Sequence, residues 1–533
     1  MMSHKLRSTT IITSAAFVNQ EIAAEYGALP PSFLPIGHER LYALQVARAV
    51  ALQGRIILTL PESFEPSGWD LGILRGYGVE LLPIPDGLSL GESVLYALTM
   101  SGTTDQVRIL HGDTAFLEDL PTETDLVSIA STQTSYPWGY VEADGRFAES
   151  GRMGTHGRPV LTGFFALSSG ADFARALTLT RGNFLLALNA YGTSSAPLSL
   201  REVGGWMDCG HLQTYYRARA QITTERAFNS LKIDHRTVKK FSAANEKKVR
   251  MEAEWFERLP PPLRLHAPLY LGAETTENGV FSYRLAYEFS PTLHELFVFG
   301  RLGLPTWRQI LGSAFAFLRE CLHLGHQKQP LNALDALVVR KTPDRLDAFA
   351  HASGVDLNAE WRYAGRRLPS LTRIAEISAG MIDREAPNTD CIMHGDFCFP
   401  NMFYDFRQQI VKVIDPRGSI TGHEPTIYGD VRYDLAKLNH SIEGYDLILA
   451  NRYVLEKGGE REVTITFPEE GPTRWLARSA AEFPVAGRRM ADPEIQALTV
   501  HLFLSMLPLH VDRPDRQHAL LANALRLFVA LSP

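Results

Sequence analysis

The sequence predicts two domains of different fold class: a doubly wound α/β domain over residues 1–222 and an α+β domain of two lobes over residues 223–533. The chain of 533 residues is too long for one ordinary hydrophobic core. Its first part alternates short apolar runs with longer amphipathic ones, which is typical of a sheet covered by helices on both faces. Its second part opens with a β-hairpin, an amphipathic helix and a further strand, and then becomes mainly helical.

Composition and charge are those of a globular protein. Apolar residues make up 45% and charged residues 21%, and the net charge of -6 includes no long run of one sign. Neither nucleic acid nor an anionic membrane is therefore expected as the main partner. The apolar stretch 498–507 is too short for membrane insertion, and no secretory segment is visible at the N-terminus. The cysteines form no CxxC pair, so a reduced cytoplasmic location is expected. They are Cys209, Cys321, Cys391 and Cys398.

Two aspartates are the candidate site residues of the first domain. Its expected strands cover residues 10–13, 55–60, 79–84, 107–111 and 127–130, and its clearest helices cover 39–52 and 92–100. Ligands of doubly wound sheets bind at the carboxyl ends of strands. Asp113 follows one such strand directly, and Asp208 lies between a tryptophan and a glycine in the segment 206–211. The alternative is that both are ordinary strand-end and turn residues.

These segments, with Pro137–Glu142 and Thr162–Phe165, resemble the sugar-phosphate nucleotidyltransferase family. The resemblance implies a GT-A-like fold in which Asp113 and Asp208 bind the Mg²⁺ that activates CTP or another nucleoside triphosphate. The loop 14–20 departs from the family, because it contains neither glycine nor arginine and no Pro-Lys follows it. A triphosphate would meet few positive donors there. Two hypotheses stay open: nucleotidyl transfer, or a binding or structural domain without catalysis.

The segment CIMHGDFCFPNMFYDFRQQIVKVIDPRG, residues 391–418, is the most informative part of the chain. Phosphoryl transfer from ATP needs one carboxylate for the attacking hydroxyl, and an amide oxygen and a second carboxylate for Mg²⁺. Asp396 suits the first role. Asn401, five positions later, and Asp415, at the end of an apolar run, suit the second.

The pattern H-x-D-x-x-x-x-N, followed by an apolar strand and I-D, resembles the aminoglycoside phosphotransferase and choline kinase group, relatives of protein kinases. The resemblance implies a lysine on the hairpin strand that holds the α- and β-phosphates. Lys240 fits the register best and Lys239 is the alternative, since consecutive strand residues face opposite ways. Glu252 lies on the inward face of the helix expected at 245–259, where it would pair with the lysine.

The remaining assignments in this domain follow from the same resemblance. The small lobe is expected at about 223–290 and the large lobe at about 291–533, with helices at 307–324, 356–367 and 370–383. Backbone groups around Glu288 and Ser290 would meet adenine at the hinge. His394 is expected to hold the catalytic loop, and Asp434 to anchor it through hydrogen bonds.

The order of the two domains resembles bacterial proteins of capsule and lipopolysaccharide biosynthesis. The expected function is an ATP- and Mg²⁺-dependent phosphotransferase that acts on a hydroxyl of a sugar, amino alcohol or polyol. Its product would then be activated or bound by the first domain. A non-catalytic nucleotide-binding scaffold of polysaccharide assembly is the main alternative. Antibiotic phosphorylation, a third hypothesis, predicts an acidic acceptor pocket.

Overall fold

The structure is a computed structural model that describes residues 8–134, 136–149, 157–226, 231–242, 244–275, 279–325, 332–459, 461–468, 473–480 and 482–531. The chain divides into two compact units, Met1–Ile222 and Thr223–Pro533. No described helix is both long enough and apolar enough to cross a membrane.

The N-terminal unit contains thirteen described strands and seven described α-helices. The strands are β1 (Thr9–Thr13), β2 (Pro35–Ile36), β3 (Glu39–Arg40), β4 (Arg55–Pro61), β5 (Val79–Ile84), β6 (Val107–His111), β7 (Thr114–Phe116), β8 (Leu126–Ala130), β9 (Gly139–Val141), β10 (Phe147–Glu149), β11 (Val160–Leu167), β12 (Ser199–Glu202) and β13 (Trp206–Asp208). The helices are α1 (Gln20–Tyr26), α2 (Leu41–Ala51), α3 (Gly68–Gly76), α4 (Leu90–Ser101), α5 (Gly170–Leu179), α6 (Phe184–Ser194) and α7 (Leu212–Arg226). The strands and helices expected from the sequence are present, with ends shifted by at most two residues.

A mixed sheet with helices on both faces forms the core of this unit. Its strand order is β10-β9-β11-β6-β1-β4-β5, with β8 and β12 joined through β11, and β1 runs parallel to both β4 and β6. Ile11 of β1 belongs to the cluster that includes α4, α5 and α6. Ile12 points to the opposite face and is also fully buried. The doubly wound α/β fold expected from the sequence is therefore confirmed.

The C-terminal unit is α+β. Its described strands are β14 (Leu231–Ile233), β15 (Thr237–Phe241), β16 (Tyr270–Thr275), β17 (Phe281–Ala286), β18 (Trp361–Tyr363), β19 (Arg366–Leu368), β20 (Asp390–Ile392), β21 (Met402–Asp405), β22 (Ile410–Val413), β23 (Tyr428–Asp430), β24 (Val454–Gly459) and β25 (Glu462–Thr466). Its described helices are α8 (Glu246–Arg258), α9 (Leu293–Phe299), α10 (Leu304–Leu324), α11 (Lys341–Ser353), α12 (Leu371–Gly380), α13 (Val431–His440), α14 (Asp446–Leu449), α15 (Thr473–Ala480), α16 (Pro493–Met506) and α17 (Pro514–Leu531).

The two lobes expected for this unit are present. The small lobe is an antiparallel sheet of order β14-β15-β17-β16, with α8 packed against β16 and β17. The large lobe is mainly helical, and its core is formed by α11, α12, α16 and α17 with β18 and β25. The α+β bilobal fold class predicted from the sequence is therefore confirmed.

The helix expected at 356–367 is wrong. The chain forms the hairpin β18–β19 there, and β18 continues into a sheet with β25. Ala364 and Gly365 both have positive φ, at 47° and 79°, which suits the two-residue turn of a hairpin. Burial also alternates, since Trp361 and Tyr363 are buried on either side of an exposed arginine. Tertiary pairing with β25 favours this period-two arrangement over a helix.

Gly418 brings the loop after β22 directly against α8. Its φ is +65°, and a Cβ at this position would overlap the backbone carbonyl of Met251. Gly422, in the same loop, has a similar φ of +80° but faces open space. The pair therefore separates the effect of close packing from the effect of backbone conformation.

We expect Gly418→Ala to lower the free energy of unfolding by about 2 kcal/mol more than Gly422→Ala, which carries only the left-handed backbone cost of about 1–2 kcal/mol. Urea unfolding of both variants measures the difference. Equal losses would contradict the close approach of the loop to α8.

Candidate active site

The loop from His394 to Asn401 is held in place by one buried carboxylate. Asp434 of α13 is fully buried, and its two oxygens accept hydrogen bonds of 2.7 Å from the backbone N–H groups of His394 and Gly395. Gly395 has φ +77°, which lets the chain turn towards Asp396. Burial raises the pKa of Asp434 to about 7, against the lowering effect of the two N–H groups. The backbone of this loop is therefore positioned by a helix more than thirty residues away in sequence.

Asp396 lies between a lysine and an amide. Lys437 Nζ is 2.8 Å from Asp396 Oδ1, and Asn401 Nδ2 donates to Asp396 Oδ2 at 2.8 Å and to its backbone carbonyl at 3.0 Å. Burial raises the pKa of Asp396, but the charge and hydrogen bond of Lys437 outweigh it and hold that pKa well below its usual range. Asp396 is therefore ionised, and it can accept a hydrogen bond from a substrate hydroxyl.

His394 acts as a support for this loop. Its Nε2 donates to the carbonyl of Ile414 at 2.9 Å, and its Nδ1 accepts from the backbone N–H of Asp396 at 3.3 Å. The ring lies edge-on to Trp255 of α8, with centroids 5.6 Å apart. Burial lowers its pKa to about 4, so the ring is neutral and both nitrogens are used in the structure. The imidazole links the loop to the end of β22.

Lys240 joins the small lobe to the end of the β21–β22 hairpin. Its Nζ lies 2.8 Å from Glu252 Oε2 and 2.9 Å from Asp415 Oδ1. Burial lowers the pKa of Lys240, but Asp415 and Glu252 raise it above its ordinary value, so the amine is charged. Lys239 pairs instead with Glu274. Its Nζ lies 2.8 Å from Glu274 Oε1, and both side chains are partly exposed. Of the two alternatives from the sequence, Lys240 is therefore the lysine that faces Glu252 and Asp415.

Glu252 is fixed from more than one side. It is fully buried and also accepts a hydrogen bond of 3.0 Å from the hydroxyl of Tyr283. Trp255, one turn later on α8, donates through its indole N–H to the carbonyl of Met393 at 2.9 Å. The helix that carries Glu252 is thereby attached to the segment that leads into the loop 394–401.

Asn401 and Asp415 present oxygen atoms suited to Mg²⁺. The amide nitrogen of Asn401 is committed to Asp396, which leaves its side-chain oxygen as an acceptor. The backbone N–H of Ile414 donates to the carbonyl of Asn401 at 3.0 Å, which brings the next residue, Asp415, near Asn401. The carboxylate of Asp415 is 46% exposed. No group of three or more His, Cys, Asp or Glu side chains is arranged to hold a metal within the described residues. The fit is to a hard cation that takes its other ligands from phosphate and water.

The two residues predicted at the hinge are in different environments. The carboxylate of Glu288 accepts from Lys412 Nζ of β22 at 2.9 and 3.0 Å. Ser290 is buried just before α9. The contact of their backbone with adenine stays a prediction.

In the N-terminal unit, Asp113 and Asp208 line the same cavity of about 550 Å³. Strands β7 and β13 pair antiparallel with Asp208 opposite Thr114, which brings the two aspartates together. Asp208 accepts from the backbone of Gly210 at 3.1 Å, from His211 Nδ1 at 2.8 Å and from a threonine hydroxyl. Burial and the charge of Asp208 raise the pKa of Asp113 to about 6.

Two backbone donors of the first loop of this unit form internal hydrogen bonds. Ser14 N–H donates to Thr59 Oγ1 at 3.0 Å, and Val18 N–H donates to the carbonyl of Leu29 at 2.9 Å. Among the residues described around the cavity, none is lysine or arginine. The described lining of the cavity therefore offers a triphosphate no lysine or arginine.

Lys437 is a site residue that sequence reasoning did not assign. It lies three residues after Asp434 on α13, a helix whose residues are all buried. A lysine in such a helix needs an anionic partner. That requirement was the available signal, but the sequence does not show that the partner is Asp396.

No protein-family model matches the sequence, and no curated protein matches it. Similar solved structures include CTP:phosphocholine cytidylyltransferase from Streptococcus pneumoniae, with 12% identity and a TM-score of 0.33 over 41% of this chain and 100% of that one. Another is a nucleoside-diphosphate-sugar pyrophosphorylase from Vibrio cholerae RC9, with 12% identity and a TM-score of 0.34 over 40% and 99%. A third is an aminoglycoside-3'-phosphotransferase of type VIII, with 16% identity and a TM-score of 0.32 over 51% and 85%. At these identities the similarity concerns the fold alone.

We expect Asp434→Asn to loosen the loop 394–401, because an amide offers one acceptor oxygen where two N–H groups need one each. One buried donor would be left unpaired at a cost of about 1–3 kcal/mol. Hydrogen–deuterium exchange should become faster at His394 and Gly395. Asp347→Asn, an exposed change on α11, is the control. Unchanged exchange at these amides would contradict the anchoring role.

Asp113→Asn should stabilise the protein at neutral pH. Because the pKa of Asp113 in the folded protein lies above its unfolded value, its protonated form stabilises the fold at low pH. That stability is lost as the pH rises through about 6. The variant should gain up to about 3 kcal/mol over the natural protein at pH 8 and nothing at pH 3. Thermal unfolding at both pH values measures this, with the exposed Asp105→Asn as control. A gain that is independent of pH would contradict the shifted pKa.

Proposed function

We propose that the C-terminal unit is an ATP-dependent phosphotransferase that acts on a hydroxyl of a small molecule such as a sugar, amino alcohol or polyol. The observation that carries this proposal is the presence of two lysine–carboxylate ion pairs in one unit. Lys240 is held by Glu252 at 2.8 Å, and Asp396 is kept ionised by Lys437 at 2.8 Å. We further propose a role in surface polysaccharide synthesis. This part of the proposal rests on the order of the two domains.

Each residue would have a separate task in this reaction. Lys240 would bind the α- and β-phosphates, with Glu252 fixing its position. Asp396 would accept the hydrogen bond of the acceptor hydroxyl and orient its oxygen towards the γ-phosphorus. As the oxygen–phosphorus bond forms, ADP leaves and the hydroxyl proton passes to Asp396. Mg²⁺, held by Asn401 and Asp415, would neutralise charge on the phosphates.

A second candidate function belongs to the N-terminal unit. The carboxylates Asp113 and Asp208 on one cavity favour metal-dependent nucleotidyl transfer to the phosphorylated product. The first loop, which contains neither glycine nor arginine, favours binding of that product without catalysis. Pyrophosphate release from CTP in the presence of Mg²⁺, measured with the phosphorylated product as acceptor, distinguishes catalysis from binding alone. Release that is lost in Asp113→Asn supports catalysis, and no release supports binding alone.

The phosphotransferase is tested by ADP release with ATP and Mg²⁺ across a panel of sugars, amino alcohols and polyols. We expect Asp396→Asn to lower acceptor-stimulated turnover roughly 100-fold or more, as for the loss of a general base. Asp347→Asn removes the same charge from an exposed site and should leave turnover unchanged. ATP binding without turnover for any acceptor would favour the alternative, a nucleotide-binding scaffold.

A further inference from the structure

One face of α13 follows the loop 394–401 along its length. Asp434 and Lys437 contact the first half of this loop, as described above. The second half is contacted by Ser441, whose Oγ accepts a hydrogen bond of 2.9 Å from the backbone N–H of Phe399. Ser441 directly follows α13 and keeps helical dihedral angles, with φ -62° and ψ -49°. The spacing i, i+3 and i+7 therefore places all three side chains on the same face of the helix.

The N–H of Phe399 needs an acceptor from outside its own turn. Residues Phe399–Asn401 form a single 3₁₀ turn, and Cys398 before it makes no capping hydrogen bond with its side chain. The N–H of Asn401 already donates to the carbonyl of Cys398 at 2.9 Å, and Pro400 has no N–H. Ser441 therefore supplies to this turn the acceptor that its own sequence does not provide.

Both partners of this hydrogen bond are removed from water. The side chains of Ser441 and Phe399 are fully buried. The ring of Phe399 packs against Phe297 of α9 and Trp307 of α10, with centroids 5.3 and 6.0 Å apart. This packing determines where the turn lies, whereas the hydrogen bond determines the direction of its peptide group. A buried N–H that loses its acceptor costs free energy, which the turn can relieve only by rotating.

The orientation of the turn determines where the side chain of Asn401 lies. Its Nδ2 donates to the carboxylate of Asp396 at 2.8 Å and to the backbone carbonyl of the same residue at 3.0 Å. Its Oδ1 is the amide oxygen suited to Mg²⁺. Asn401 is only two residues after Phe399, so a rotation of the peptide group at Phe399 would also displace this amide.

We propose that Ser441 is a positioning residue, which orients the turn 399–401 so that Asn401 keeps its nitrogen on Asp396 and its oxygen available to Mg²⁺. This inference rests on the proposed phosphotransferase function and adds to it a residue that acts through Asn401. The same face of α13 then positions both halves of the loop 394–401.

The alternative is that Ser441 only stabilises the large lobe. Ser378 of α12 provides the comparison, because it is also a fully buried serine of this lobe. Its hydroxyl donates to the carbonyl of Ile374 in its own helix at 2.6 Å. Ser378→Ala therefore removes a buried hydroxyl and its hydrogen bond without changing a contact of the loop 394–401, and it is the matched control.

Hydrogen–deuterium exchange of the full chain, without nucleotide or Mg²⁺, tests the effect on the turn. Ser441→Ala and Ser441→Cys should both make the amide of Phe399 exchange roughly tenfold faster or more, since a methyl group accepts no hydrogen bond and a thiol accepts only a weak one. Ser441→Cys nearly preserves the side-chain size, so a change shared by both variants is not an effect of lost packing. The amides of His394 and Gly395, which Asp434 holds, should be unaffected.

ADP release with an acceptor that the natural protein uses tests the effect on the reaction. Ser441→Ala should raise the Mg²⁺ concentration for half-maximal rate roughly tenfold and lower kcat by a similar factor, as for the loss of a group that orients a metal ligand. The Kd for ADP in EDTA should stay unchanged, because Lys240 is held by Glu252 and not by this turn. Ser378→Ala should leave all three quantities unchanged.

Two outcomes overturn the inference. Unchanged exchange at Phe399 in both variants would contradict the orienting hydrogen bond, whatever the activity. Faster exchange with unchanged kcat and an unchanged Mg²⁺ requirement would leave Ser441 a purely structural role. If the natural protein releases no ADP with any acceptor, the phosphotransferase function is contradicted, and exchange at Phe399 still decides whether Ser441 orients the turn.

Discussion

The buried carboxylate of Asp434 is the constraint on which the geometry of the C-terminal site depends. It receives two backbone N–H groups from the turn that leads to Asp396. The same helix, α13, also supplies Lys437 to the side chain of Asp396. One rigid element therefore positions the backbone of the loop and the charge of its carboxylate together. Preorganisation of this kind keeps a reactive group in place without movement during the reaction.

Two lysines of this unit are held by carboxylates. Lys240 lies between Glu252 and Asp415, so its charge is neutralised before any phosphate arrives. Lys437 is paired in the same way, since its Nζ lies 2.8 Å from Asp396 Oδ1. Each lysine is thereby held in one position by a carboxylate.

In the N-terminal unit, the fold and the first loop depend on different interactions. Its doubly wound sheet brings Asp113 and Asp208 to one cavity. In its first loop, however, the backbone N–H groups of Ser14 and Val18 form hydrogen bonds within the unit. The sheet is stabilised by apolar burial on both faces, which does not depend on that loop. A change in the loop can therefore alter the chemistry while the fold persists.

Much of this could be predicted from the sequence, because local patterns carry the information. The period of apolar residues determined the strands at 79–84 and 107–111, and the order of Asp396, Asn401 and Asp415 indicated a phosphotransferase loop. Contacts between distant segments could not be predicted in this way. The choice of Lys240 over Lys239, the hairpin in place of a helix at 356–367, and the pairing of Lys437 with Asp396 all depend on tertiary packing. The physical reason is that a periodic pattern shows which face of an element is buried, whereas the charges that meet there are decided only when separate elements pack together.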